Sequence, residues 1–192
     1  MPPTRTRPDR NRVRESLLDA AAEEFLEHGY QGTTMSRIAA RAGYTKGAAY
    51  SNFEGKPALL AAACLRRSSV TTQAVAGEVT GTRDPLEIGR RLAQAAVDGS
   101  PWAQTLAEVA AVGRHDHEAA SAYRHLRDAQ LAAVVEQVRA LDLPLRATAE
   151  TSARVLQAVM SQIGLEYAVV PERWPLDEIE NTLTTMVRGL LA

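Results

Sequence analysis

Residues 33–53 read TTMSRIAARAGYTKGAAYSNF, and they describe two short helices joined by a tight turn. Thr33 or Thr34 can cap the first helix, because a hydroxyl accepts a free backbone N–H of the opening turn. Met35, Ile38, Ala39 and Ala42 recur at helical spacing and give that helix one apolar face. Gly43 follows at once, the residue type that most readily ends a helix in a left-handed turn. Thr45 then caps a second helix from Lys46 to about Asn52, whose Gly47, Ala48 and Ala49 let a backbone approach another surface closely. Helix, glycine turn and a short helix of small and polar residues is the outline of a helix-turn-helix, whose second helix enters the DNA major groove.

The longer run from Gly29 to Leu59, GYQGTTMSRIAARAGYTKGAAYSNFEGKPAL, resembles the DNA-binding domain of TetR-family transcriptional regulators. The resemblance is carried by Gly29, Thr33-Thr34, Ile38-Ala39, Ala42-Gly43, Lys46-Gly47, Tyr50, Phe53, Lys56 and Leu59, in the family's order and without a gap. The chain departs from the family pattern at Tyr44, Ala48-Ala49, Ser51-Asn52 and Pro57. These departures bear on which operator is read rather than on the fold. The resemblance implies that Thr34, Thr45, Lys46, Gly47, Tyr50, Asn52 and Lys56 touch DNA. It also implies a homodimer that binds an operator and answers to a small molecule.

Composition is compatible with that reading. The 192 residues suffice for one or two domains, and 45% hydrophobic with 23% charged residues is ordinary for a globular protein. A single cysteine, Cys64, excludes an internal disulfide and any multi-cysteine metal site. No apolar run is long enough to span a membrane, and the cytoplasm is the expected compartment. A net charge of −1 conceals a polarity: residues 1–60 hold nine Arg or Lys against seven acids, and residues 61–192 hold thirteen against sixteen. The only two lysines, Lys46 and Lys56, both lie in the DNA-reading stretch. Arg5, Arg7, Arg10, Arg12 and Arg14 form a basic arm that either reaches DNA or is simply solvated.

The pattern along the chain predicts an all-α protein of about nine helices. A three-helix DNA-binding domain occupies residues 1–60, and a helical ligand-binding and dimerisation domain occupies 61–192. Helix one is expected over Arg10–His28, stopped by Gly29, with Val13, Leu17, Ala20, Ala21, Phe25 and Leu26 inward. A long helix over Lys56–Val79 links the domains. Gly99, Ser100 and Pro101 are expected to separate two helices, at 85–98 and 102–113. Further helices are expected over 118–141, 147–170 and 176–191.

Leu176, Ile179, Leu183, Met186 and Leu190 make an apolar seam on the last helix, and Leu156 and Ile163 lie on one face of the helix before it. The spacing alone fits an internal core as well as a partner. The resemblance favours a dimer interface of Leu156, Ile163, Ile179, Leu183, Met186 and Leu190. Trp102, Leu106, Tyr123, Leu126, Gln130, Met160 and Tyr167 mix apolar walls with polar tips and are candidates for a ligand pocket, plain core being the simpler reading of each. His115-Asp116-His117 with His125 suggests a metal-dependent hydrolase as the rival function. No second ligand cluster supports it, so no metal, no cofactor and no enzymatic activity are expected. The partners expected are an operator duplex, a second copy of the chain and a small-molecule effector.

Overall fold

The computed structural model describes residues 9–192. The part of the basic arm holding Arg5 and Arg7 lies outside the described residues. Among the described residues there are eight α-helices and no sheet: α1 Arg10–Gly32, α2 Met35–Arg41, α3 Lys46–Asn52, α4 Lys56–Val79, α5 Pro85–Val112, α6 His117–Ala140, α7 Ala149–Val169 and α8 Leu176–Leu190. No described helix is long and apolar enough to cross a membrane.

Local chemistry sets most of the boundaries. Asp9, Thr34, Thr45, Asp84, Asp116 and Thr148 each accept a backbone N–H from the first turn of the helix that follows. Gly29 sits at φ 66° and ψ −179°, so regular α1 stops at His28 and the chain turns through Tyr30 to Gly32. Only glycine reaches that conformation without strain. Leu26 of the expected inward stripe points to solvent, and Leu18 takes a place in the core instead.

One boundary is corrected. Gly99-Ser100-Pro101 does not divide the chain; α5 runs through it with Pro101 inside. Proline removes one helical hydrogen bond and crowds the previous turn. Tertiary packing offsets that cost. Gly164 of α7 lets its helix lie against Ala96, Ser100 and Ala103 of α5, and α8 packs along α5 beside it.

Two apolar clusters result. The first joins Leu17, Phe25, Ile38, Ala49, Phe53, Leu59 and Leu60 with Trp102, Val109 and Leu126 from α5 and α6. The second gathers Val79, Ile88, Leu92, Ile163, Ile179, Leu183 and Val187. Helix α4 contributes to both, so residue 60 falls inside a continuous helix shared by two cores.

Beyond Leu176, which is exposed, the α8 seam turns inward against α5. Ile179 and Leu183 are fully buried, Ile163 is buried, and Leu156 and Met186 pack against the same cluster. Within the chain Ile163, Ile179 and Leu183 are thus covered, while Leu156, Met186 and Leu190 stay half-buried. The face of α7 left outward carries Val155, Ala158 and Val169.

Candidate nucleic-acid interface and the cavity behind it

The interface begins with two threonine caps. Thr34 accepts the Arg37 N–H at 3.3 Å and opens α2; Thr45 accepts the Ala48 N–H at 3.2 Å and opens α3. Between them Gly43 turns at φ 76°, and the Tyr44 N–H reaches the Ala39 carbonyl at 2.8 Å. Ala49 is fully buried and Ile38 and Phe53 lie in the core, which turns the other side of α3 outward.

That outward side presents Thr45, Lys46, Gly47 and Tyr50, all exposed. The Lys46 ammonium lies 5.7 Å from the centre of the Tyr50 ring. Asn52 is half-buried and turned back: its amide donates to the Ala48 carbonyl at 2.8 Å. Its own carbonyl accepts from Arg14, whose guanidinium stacks 4.3 Å above the Phe53 ring.

Lys56 is placed differently from the other expected DNA contacts. Its Nζ donates to the carbonyls of Tyr30 at 2.8 Å and Thr33 at 3.0 Å, and lies 4.1 Å above the Tyr30 ring. It closes the end of α1 from inside the domain. Burial holds its ammonium below the ordinary lysine range, with Glu108 pulling the other way.

Two charged clasps hold this domain together and to its neighbour. Glu24 is buried on α1 and accepts from Arg37 Nε at 2.8 Å and Arg41 Nε at 2.7 Å on α2. Arg41 also pairs with Glu23 and Glu27. Glu24, Glu27 and His28 are close enough to suggest a metal site, but guanidinium groups already take the carboxylate oxygens. The second clasp is Glu108 of α5, which accepts the Tyr30 N–H at 2.8 Å and the Gln31 N–H at 3.3 Å. The Tyr30 hydroxyl is pushed up to about 12 by burial, then by Asp116 and Glu118.

Burial alone would raise the Glu24 carboxyl, but the arginines outweigh it and hold it below its ordinary value of 4.5. Its folded-state value is therefore depressed. The contribution is whole above the unfolded value and is lost as pH falls through the folded one. Glu24→Gln keeps the shape and removes the charge; we expect a loss of about 1–3 kcal/mol in denaturant unfolding at neutral pH. An unchanged midpoint would mean that the clasp contributes nothing net.

The His115-Asp116-His117 stretch assembles no metal-binding group with His125 among the described residues. The Asp116 carboxylate is spent on the N–H groups of Glu118 and Ala119, where it caps α6. All three histidines are exposed.

Behind the DNA-binding half, helices α4 to α8 wall two adjoining, half-open chambers. The inner one, about 270 Å³, is walled by residues such as Val75, Val79, Ile88, Leu92, Leu156 and Leu190. The outer one, about 490 Å³, is walled by Trp102, Leu106, Tyr123, Gln130 and Met160 of the expected set, together with Arg67, Arg127 and Ser161. Leu126 is core, and Tyr167 packs on the second cluster. Sequence reasoning missed Arg127, although Tyr123, Arg127 and Gln130 share one helical face. Cys64 lines the outer chamber too; burial pushes its thiol up to about 12 and keeps it protonated.

Residues 17–63 match the family described as "Bacterial regulatory proteins, tetR family". Over 52 residues the chain is 44% identical to the HTH-type transcriptional repressor BepR of Brucella suis, a match covering 27% of this chain and 25% of that one. The chain spans only a quarter to just under half of the curated relatives it matches. Whole-chain likeness comes from solved structures. A TetR-family regulator from Mesorhizobium loti superposes with a TM-score of 0.70 at 18% identity, covering 95% of this chain and 96% of that one. SmeT, the repressor of the Stenotrophomonas maltophilia multidrug efflux pump SmeDEF, superposes with a TM-score of 0.59 at 24% identity, covering 93% and 90%. The Gly29–Leu59 motif, the capped α2–turn–α3 unit and the matched residues agree: residues 17–63 form a DNA-binding domain of the tetR family, in a chain that shares the whole fold of solved TetR-family regulators.

Proposed function

We propose that this chain is a ligand-responsive repressor that binds a palindromic operator as a homodimer and leaves it when a small molecule fills the cavity. The observation that carries the reading is the outward face of α3, where Lys46, Gly47 and Tyr50 stand exposed beside a capped helix start. Thr34 and Thr45 stand at helix starts, where hydroxyls and backbone N–H groups suit phosphate oxygens. Lys46 is the candidate for a guanine edge, and Tyr50 for a phosphate. Asn52 holds the end of α3, and Lys56 the end of α1, so both position the reader instead of reading. The division into a DNA-binding part near residues 1–60 and an effector part beyond it is retained, with α4 common to both.

Two recognition helices related by a two-fold axis should enter successive major grooves roughly 34–36 Å apart. The outward face of α7, with Val155, Ala158 and Val169, is the surface proposed for the partner. Control follows from α4. Its first half builds the DNA-binding core, and Ser68, Thr71, Thr72 and Val75 in its second half line the chambers. An effector must favour the conformation that does not bind DNA, because equal affinity for both would change nothing. Repression in particular is supported by the repressor names of relatives and neighbours.

Duplex selection with the purified chain tests the reading directly, and enrichment of an inverted repeat is expected. Lys46→Ala should then lose roughly 1–3 kcal/mol of discrimination at one base pair per half-site. Tyr50→Phe should weaken operator and scrambled duplex alike, by about 0.5–3 kcal/mol. If selection enriches no sequence, the regulator reading fails; if Lys46→Ala weakens both duplexes equally, the two roles are reversed.

A further inference from the structure

The walls of the two chambers carry two arginines and, among the described residues, no aspartate or glutamate. Arg127 stands where the chambers meet and lines both. Its guanidinium donates to Gln130 Oε1 at 3.2 Å and Ser161 Oγ at 3.1 Å, both neutral. No carboxylate of the described residues lies within 4.0 Å of it, whereas Arg37, Arg41, Arg66, Arg90, Arg91 and Arg139 all have such partners. The second arginine, Arg67, sits at the outer chamber's exposed edge and donates to the Asp98 carbonyl. The indole N–H of Trp102, in the same wall, is buried without an acceptor.

A half-buried cation without a counter-charge is costly unless something supplies one. Here the group faces a half-open pair of chambers, one of which is almost wholly apolar. The geometry points to an effector that is an amphipathic organic anion: a carboxylate head paired with Arg127 at the junction and an apolar body in the inner chamber against Val79, Ile88 and Leu92. A planar guanidinium takes a carboxylate with two parallel hydrogen bonds. The apolar chamber then adds about fourfold in affinity for each methylene buried. A cationic ligand would meet two positive charges and no acid. This rests on the reading of the cavity as the effector site.

The test is calorimetric titration of the full chain with decanoate, decanol and decylammonium below their aggregation limits. Decanoate should bind roughly ten- to a hundredfold tighter than decanol, the span of a hydrogen bond to a charged group. Decylammonium should bind weakest. Arg127→Met should erase the preference for decanoate over decanol while leaving decanol binding in place. Arg127→Lys should keep the preference's sign, which guards against a variant that is merely misfolded. Equal binding of the three probes, a preference for decylammonium, no binding of decanoate, or an unchanged preference in Arg127→Met would each overturn the inference. Operator binding by the same variants separates the levels. If the carboxylate preference is absent while duplex binding is intact, this inference falls and the regulator reading stands. If decanoate binds through Arg127 without altering duplex affinity, the cavity's chemistry stands and effector control falls.

Discussion

Leu183→Ala is expected to destabilise the folded chain by about 2–5 kcal/mol, the range for deleting a fully buried leucine. Leu183 has no exposed surface and lies between α8 and α5, beside Ile179, Ile88 and Leu92. The cost should therefore appear in denaturant unfolding whatever the protein concentration. Val155→Glu is the contrast: Val155 stands on the outward face of α7 and is 37% exposed. That change should leave unfolding of the isolated chain within about 0.5 kcal/mol, as for surface substitutions generally, and should shift light scattering from dimer towards monomer. The pair decides which apolar face meets a partner. If Leu183→Ala dissociated an otherwise intact fold while Val155→Glu left the dimer untouched, the two faces would be exchanged.

Gly89→Ala should cost about 1–3 kcal/mol, towards the upper end, because it overpacks a contact that cannot yield. A Cβ at Gly89 would stand 2.3 Å from Thr184 Oγ1 and 2.7 Å from the Thr184 backbone nitrogen. A side chain can swing aside, but the α8 backbone moves only if the whole helix does. Separating α5 from α8 also loosens Ile88 and Leu92 from Met186 and Leu190, which together wall the inner chamber. Weaker effector binding should therefore accompany a lower unfolding midpoint. Gly77→Ala, where a Cβ would meet nothing within 4 Å, is the control; it should be neutral or slightly stabilising, since alanine is the better helix former. A neutral Gly89→Ala would mean that the crossing is looser than its geometry.

What could be read from the sequence follows how local the governing interaction is. Thr34 and Thr45 cap their helices within three residues, and Gly29 and Gly43 break theirs by their own backbone freedom, so the helix bounds of the DNA-binding stretch were legible. The bounds of α4 were legible too, from Pro57 in its first turn and Gly81, at φ 84°, just beyond its end. Pro101 misled because the forces that carry α5 through it come from α7 and α8, far along the chain. The α8 seam was recognisable as apolar, but periodicity says that a face is buried and never against what. Lys56 reads as a surface cation until the carbonyls of Tyr30 and Thr33 are seen within reach of its ammonium. A lone arginine among apolar residues likewise reads as solvent-facing, and the chambers that make Arg127 informative exist only once five helices meet.

The inward turn of Lys56 also bears on how binding responds to ionic strength. A cation at a phosphate displaces condensed counterions from the duplex, and each such contact steepens the logarithmic fall of affinity with salt by about 0.9. An ammonium already shared between two backbone carbonyls displaces few of them. Half of the chain's lysine complement is thereby withdrawn from the ionic term, although it sits in the DNA-reading stretch. The salt dependence of operator binding then reports the groups left at the surface, Lys46 foremost, and undercounts the basic residues that the stretch contains.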